Sequence, residues 1–151
     1  MGVYESLIIE AKDIEIIEKH FKSNSKGLCD GNIIGISAGL QTDAEKACVL
    51  AEELGHYHTT VGNILDQKNI RNRKQELTAR AWAYQKLIPL HKIIDAYVVG
   101  IDNYHELAEY LGVTEEFLQN ALAYYNGKYG ISKRTGNYQI SFDPLAVTYI
   151  F

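Results

Sequence analysis

Hydrophobic residues recur at three-, four- and seven-residue steps through Val3, Leu7, Ile14, Ile17 and Phe21, with Glu10, Lys12, Glu15 and Lys19 between them. That spacing predicts one amphipathic helix over 3–23, stopped by Ser23-Asn24-Ser25 and Gly27. Leu28-Cys29, the turn pair Asp30-Gly31 and Ile33-Ile34-Gly35-Ile36 read as a β-hairpin over 27–37. Thr42 is a candidate N-cap with Glu45 at the capping-box spacing, and Ala44, Ala47, Cys48, Ala51 and Leu54 form the apolar stripe of a second helix.

The segment Thr59 to Lys74, rich in Asn, Gln, Lys and Arg, reads as an exposed loop. Helices are expected over 75–87 (ending near Pro89), 92–99, 104–111 and 114–125, and Asn126-Gly127 and Gly130 close the helical region. Tyr138, Ile140 and Phe142 alternate, so the tail over 138–151 adds a strand. No internal repeat or low-complexity linker interrupts the chain. The expectation is a single small α+β domain over 1–151, mainly helical, with a short hairpin sheet packed on the second helix and a helical C-terminal part over about 90–130.

Composition narrows the function classes. The 151 residues are 46% hydrophobic, with 11 Tyr and 4 Phe, too apolar for a chain that stays disordered. The longest apolar runs, Ala96–Ile101 and Leu145–Phe151, fall far short of the ~20 residues that span a bilayer. Glu5, Glu10 and Asp13 break what would be the apolar region of a secretory leader, so none is expected. Two cysteines, Cys29 and Cys48, make no disulfide framework, and reduced thiols in a cytoplasm are expected. A net charge of −4 argues against a general phosphate-binding surface.

The stretch Leu50-Ala51-Glu52-Glu53-Leu54-Gly55-His56 carries the candidate chemistry. Residues four apart share a helix face, so Glu52 and His56 can grip one metal ion, and the neighbouring Glu53 can reach a water bound to it. This is the geometry of the His-Glu-x-x-His helix of zinc hydrolases, with Glu52 where the first His stands. Zinc accepts carboxylate oxygen, but a second carboxylate ligand makes it a weaker Lewis acid. Glu76 is the best candidate for a third ligand, and Gly55 in mid-helix suggests a close approach to a neighbour.

Glu76-Leu-Thr-Ala79-Arg80-Ala-Trp82-Ala83, with Leu87 and Pro89 beyond it, completes a two-part pattern. Together the two parts resemble the ImmA/IrrE metallopeptidases, in which a His-Glu-Leu-Gly-His helix is followed by Glu-x-x-Ala-Asn-x-Phe-Ala and then Leu-x-Pro. Asp30-Gly31-x-Ile33-x-Gly-Ile36 resembles the family's hairpin before the active helix. On this resemblance Glu53 is the catalytic carboxylate, His56 the second ligand and Glu76 the downstream acidic ligand. Ala79, Ala83, Leu87 and Pro89 match as they stand, whereas Arg80 replaces the usual Asn and Trp82 the usual Phe. The resemblance implies a zincin-like core, one Zn2+, and cleavage of a cognate transcriptional repressor of a phage or mobile element.

Other residues admit plainer readings. His58, two residues beyond His56, points to the opposite face of a continuing helix and becomes a ligand only if the helix ends at Tyr57. Lys68, Arg71, Arg73 and Lys74 read as a solvated basic loop, although Arg73 or Lys74 folding back would neutralise excess carboxylate. Trp82 is expected in the core, Tyr84 at the surface, and Cys48 as a small buried residue. The 107–123 segment has the cadence of a DNA-binding helix-turn-helix, but Glu115 and Glu116 open a second helix that carries no Lys or Arg up to Tyr125. The functional alternative is a degenerate, non-cleaving relative, metal-bound or metal-free, that captures a repressor; DNA binding through 107–123 is a weaker third reading.

Overall fold

The computed structural model describes residues 1–59 and 73–151, which fall into two units, Met1–Lys86 and Leu87–Phe151. The first unit is built on α2, Asp43–Thr59, which starts where the capping pattern places it. The Thr42 hydroxyl accepts from the Glu45 amide and donates to the Glu45 carboxylate, each at 3.1 Å. Its buried residues include Ala47, Leu50, Ala51 and Leu54. Packed on α2 are the N-terminal helix α1, Val3–Glu10, and a three-stranded sheet of β1 (Glu15–Lys19), β2 (Gly27–Asp30) and β3 (Ile33–Ser37).

The hairpin of β2 and β3 is present, closed by Gly31-Asn32 between the paired residues Asp30 and Ile33, one position later than the pattern suggested. Its order is β1-β3-β2, with β3 central, parallel to β1 and antiparallel to β2. Ile34 and Ile36 of β3 are fully buried. The single helix expected over 3–23 is therefore wrong beyond Glu10. Ile14, Ile16 and Ile17 favour extended backbone through their branched Cβ atoms, and pairing with β3 decides the outcome.

One polar cluster ties α1, β1 and α2 together. The Tyr4 hydroxyl donates to Glu18 at 3.0 Å, and Lys46 meets the other Glu18 oxygen at 3.0 Å. These partners, Lys46 foremost, hold the Glu18 carboxyl below its ordinary range, while burial and Glu18 push Tyr4 up to about 12. The third helix, α3 (Arg73–Leu87), reaches back to α1 through Lys86 and Glu10, 2.6 Å apart. Of the segment expected as a loop, Thr59 ends α2, Arg73 and Lys74 open α3, and 60–72, with Lys68 and Arg71, lie outside the described residues.

In the second unit α4 (Leu90–Val98), α5 (Tyr104–Leu111) and α6 (Glu115–Tyr129) precede an antiparallel meander of β4 (Ser132–Thr135), β5 (Tyr138–Phe142) and β6 (Leu145–Tyr149). Asn103 and Thr114 cap α5 and α6 by accepting from Glu106 and Phe117 amides at 2.8 and 3.1 Å. Two expectations are corrected here. Helix α6 runs through Asn126-Gly127 and stops at Gly130, and the tail over 138–151 forms two strands rather than one, with β4 ahead of it. Tyr125 packs on Tyr129 and Phe142 and donates to the Ile88 carbonyl at 2.7 Å in a buried hydrogen bond. The architecture is α+β, as the sequence indicates.

Tyr125→Phe leaves the Ile88 carbonyl without this donor, so it is expected to lower the unfolding free energy by about 1–2 kcal/mol in urea titration. A second expectation concerns acid. Because the Glu18 carboxyl is depressed in the folded state, its contribution is present above the ordinary carboxylate range and is lost as pH falls through the depressed value. Glu18→Gln should remove that part of the fall in thermal midpoint below about pH 4, an effect under about 1 kcal/mol for so exposed a pair.

Candidate active site

Glu52, Glu53 and His56 lie on one stretch of α2, and Glu76 opens α3. The two helices approach backbone to backbone where Gly55 faces Ala79. A Cβ there would collide with the Ala79 carbonyl oxygen and stand 3.0 Å from its carbon, so only glycine lets α3 lie this close. Glycine in mid-helix costs about 1 kcal/mol against alanine, which the close approach offsets. Small residues continue the arrangement, Ala47 and Ala51 at four-residue steps before Gly55, and Ala83 four after Ala79, all fully buried.

This approach brings His56 Nε2 within 3.4 Å of Glu76 Oε1. His56 is 5% exposed and Glu53 6%, the two buried polar side chains among the described residues, while Glu76 is half-buried. Glu52 is half-buried one turn before His56. Burial raises its carboxyl above the ordinary range; the Arg80 guanidinium opposes this most strongly, Glu53 and Glu76 raise it further, and Lys26 lowers it. Strand β2 borders the site as well: a Cβ on Gly27 would stand 3.0 Å from Glu53 Cγ and 2.7 Å from Val49 Cγ1, so its glycine seats the strand against the helix. Since β2 ends the sheet, the strand beside Glu53 is an edge strand.

The sequence-derived ligand set is assembled in part. His56 and Glu76 are together, yet among the described residues no group of three His, Cys, Asp or Glu is placed to hold a metal ion. His58 does not join them. Helix α2 continues to Thr59, and the exposed His58 ring stacks on Trp82 at 5.0 Å. Tyr84 is buried and Trp82 only half-buried, the reverse of the expectation, because stacking on His58 keeps Trp82 near the surface. Cys48 is buried, as expected. The sequence reading did not single out Arg80 as a charge acting on Glu52. Its place one turn after Glu76 is the signal that would have found it.

The IrrE N-terminal-like domain model matches residues 9–123, well over half of the chain. The chain belongs to this family, that of the ImmA/IrrE metallopeptidases. No match is found among curated proteins. The matched span contains α2, α3 and every candidate site residue, and it ends within α6, before the β4–β6 meander. The helix-turn-helix cadence also falls inside it, and there Leu107, Ala108, Leu111, Val113, Phe117 and Leu118 are buried, so packing accounts for the pattern. No described helix is long and apolar enough to cross a membrane.

The family is generally zinc-dependent, and the residues present fit zinc in kind. His56 and Glu76 offer an imidazole and a carboxylate side by side, and Glu52 offers a second carboxylate from the same helix face as His56. Gly55→Ala should drive α3 away from α2, costing about 1–3 kcal/mol or more, and should also open the His56–Glu76 pair. Thermal unfolding and histidine NMR shifts check the two effects.

Proposed function

We propose that this chain is a cytoplasmic, zinc-dependent endopeptidase-like protein of a phage or mobile element, acting on a cognate transcriptional repressor. The observation that carries the reading is the His56–Glu76 pair, 3.4 Å apart with buried Glu53 on the turn before His56, inside a metallopeptidase family domain. The repressor is the substrate that the family resemblance implies. Glu52, His56 and Glu76 are the proposed ligands, with Glu52 closing the third position.

When bound, zinc acidifies a water and polarises the scissile carbonyl. Glu53 then has the base's role: its buried carboxylate takes the proton of the attacking water and passes it to the leaving amine. Edge strand β2 is the natural seat for an extended peptide, which would add to the sheet by main-chain hydrogen bonds and lie alongside Glu53. The second carboxylate ligand keeps more negative charge at the centre than two histidines would, so turnover is expected to be slow.

Arg80 favours a second reading. A cation acting on Glu52 offsets the charge that a metal would otherwise neutralise, and a protein stabilised in this way captures its repressor without cutting it. Glu53→Gln separates the two readings. In an enzyme it lowers cleavage by roughly 10²–10⁴-fold and leaves metal content intact. In a binder it leaves repressor capture unchanged, with no cleavage to lose.

The primary test is the metal content of the protein, purified without a His-tag, beside His56→Ala. One equivalent of zinc in the parent, lost in the variant, supports the reading. Neither protein holding metal after zinc is supplied would overturn the enzyme and leave the binder.

A further inference from the structure

The β4–β6 meander of the second unit has two edges, and they differ in kind. Strand β4 carries Lys133 and Arg134, charges of the sort that keep an edge from pairing with another chain. Strand β6, Leu145–Tyr149, carries neither a charge nor a proline. The Ile150 amide donates to the Asn137 carbonyl at 2.7 Å, which fixes the alternation along the pair. Ala146 and Thr148 turn their amides and carbonyls to β5, and Leu145, Val147 and Tyr149 turn theirs outward. The Leu145 amide meets the Tyr104 hydroxyl at 3.3 Å, whereas no described residue bonds the Val147 amide.

A groove of about 340 Å³ lies between this strand and the helices α4 and α5. Buried Ile93 and Leu107 line its helix side, Val147 its strand side, and the exposed rings of Tyr97 and Tyr104 border it. Tyr138 stands edge-on to Tyr97 at 6.3 Å and steadies that ring. Asp102 is the one charged residue in the lining, and no described residue forms an ion pair with it. We propose that the groove is a peptide site, in which an extended segment of a partner protein adds to β6, seats an apolar side chain between strand and helices, and sets a Lys or Arg against Asp102. Leu145 and Val147 share a sheet face with buried Phe142 and Ile140, so a strand added to β6 turns every second side chain toward the groove. Main-chain bonds then supply affinity and the groove supplies selectivity. The uncompensated Asp102 carboxylate chooses a basic segment over an acidic one. An apolar small molecule would fill the groove but leave the outward Val147 amide unused. The site lies wholly in the second unit and is independent of the metal centre.

The test selects a phage-displayed library of short random peptides on the full chain, with Val147→Pro as the counter-selection. Proline keeps the β5 ladder, because the Val147 amide points away from β5, and removes the outward donor. Asp102→Asn alters an exposed side chain, and circular dichroism and thermal melting establish that both variants fold. Selected peptides should share an apolar residue and a nearby Lys or Arg. In fluorescence anisotropy, Asp102→Asn should weaken them roughly two- to fivefold at low salt, with the difference fading as salt rises. Methylating one peptide amide that pairs with β6 alters nothing in the protein and should weaken binding roughly two- to tenfold.

Failure to enrich any sequence on the parent over Val147→Pro would overturn the proposal, as would enrichment of acidic peptides. Indifference to methylation at every peptide amide would overturn it as well and leave a pocket for an apolar small molecule. Sedimentation as a dimer in the parent and a monomer in Val147→Pro would overturn it in favour of a second copy paired on β6. None of these outcomes bears on the metal centre, which stands or falls on its metal content.

Discussion

The absence of a side chain at Gly55 sets the distance between α2 and α3, and the candidate chemistry depends on that distance. Any Cβ at this position would meet the Ala79 carbonyl oxygen, which belongs to the backbone and cannot swing aside. With the helices this close, side chains of ordinary length on neighbouring turns meet without strain, and His56 reaches Glu76. The buried small residues at 47, 51, 79 and 83 leave few long side chains near the crossing to hold the helices apart. Gly27 plays the same part on another side, letting edge strand β2 lie against Glu53. Two glycines thus place buried Glu53 and His56, the Glu76 carboxylate and an edge strand in one neighbourhood.

What the sequence discloses tracks how local the determining interaction is. The Thr42–Glu45 cap, the β2–β3 hairpin and the start of α5 are legible because their partners lie within a few residues. Strand β1 is not, since its apolar positions serve a helix or a strand equally well and its parallel pairing with β3 spans the whole hairpin. Strand β4 carries Ser132, Lys133, Arg134 and Thr135, with no apolar alternation to find, and depends on β5 for its shape. The candidate site shows the same division. Glu52, Glu53, His56 and Gly55 stand in one run, and Glu76 follows at family spacing, so they can be named from the chain alone. Arg80 is marked in the chain only by its place one turn after Glu76, and its influence on Glu52 emerges once the fold is known. The basic residues that the sequence offers as neutralisers, Arg73 and Lys74, lie exposed at the start of α3.

The electrostatics of the site follow from simple accounting of charge. Glu52, Glu53 and Glu76 bring three carboxylates to a partly buried region shared with a single imidazole. Mutual repulsion and lost hydration both oppose full ionisation, which is why the Glu52 carboxyl is raised. Such a cluster persists when something cationic accompanies it, and two kinds of cation are available to it, a side chain or an ion. The side chain is covalently present at all times; the ion depends on supply.

That distinction bears on function more than the ligand count does. A centre with two histidines and one acid holds zinc against no internal rival, and its occupancy follows affinity alone. With glutamate where the family pattern has the first histidine, the site carries one more carboxylate, on which Arg80 is the cation acting most strongly. Hydrolysis, in the function proposed above, would require a bound metal, with Glu53 as the base toward the water it activates. Capture of a protein on the β2 edge would require only the strand and its neighbours. Under the proposed function, capture would therefore ask less of the site than cleavage, which needs the metal as well.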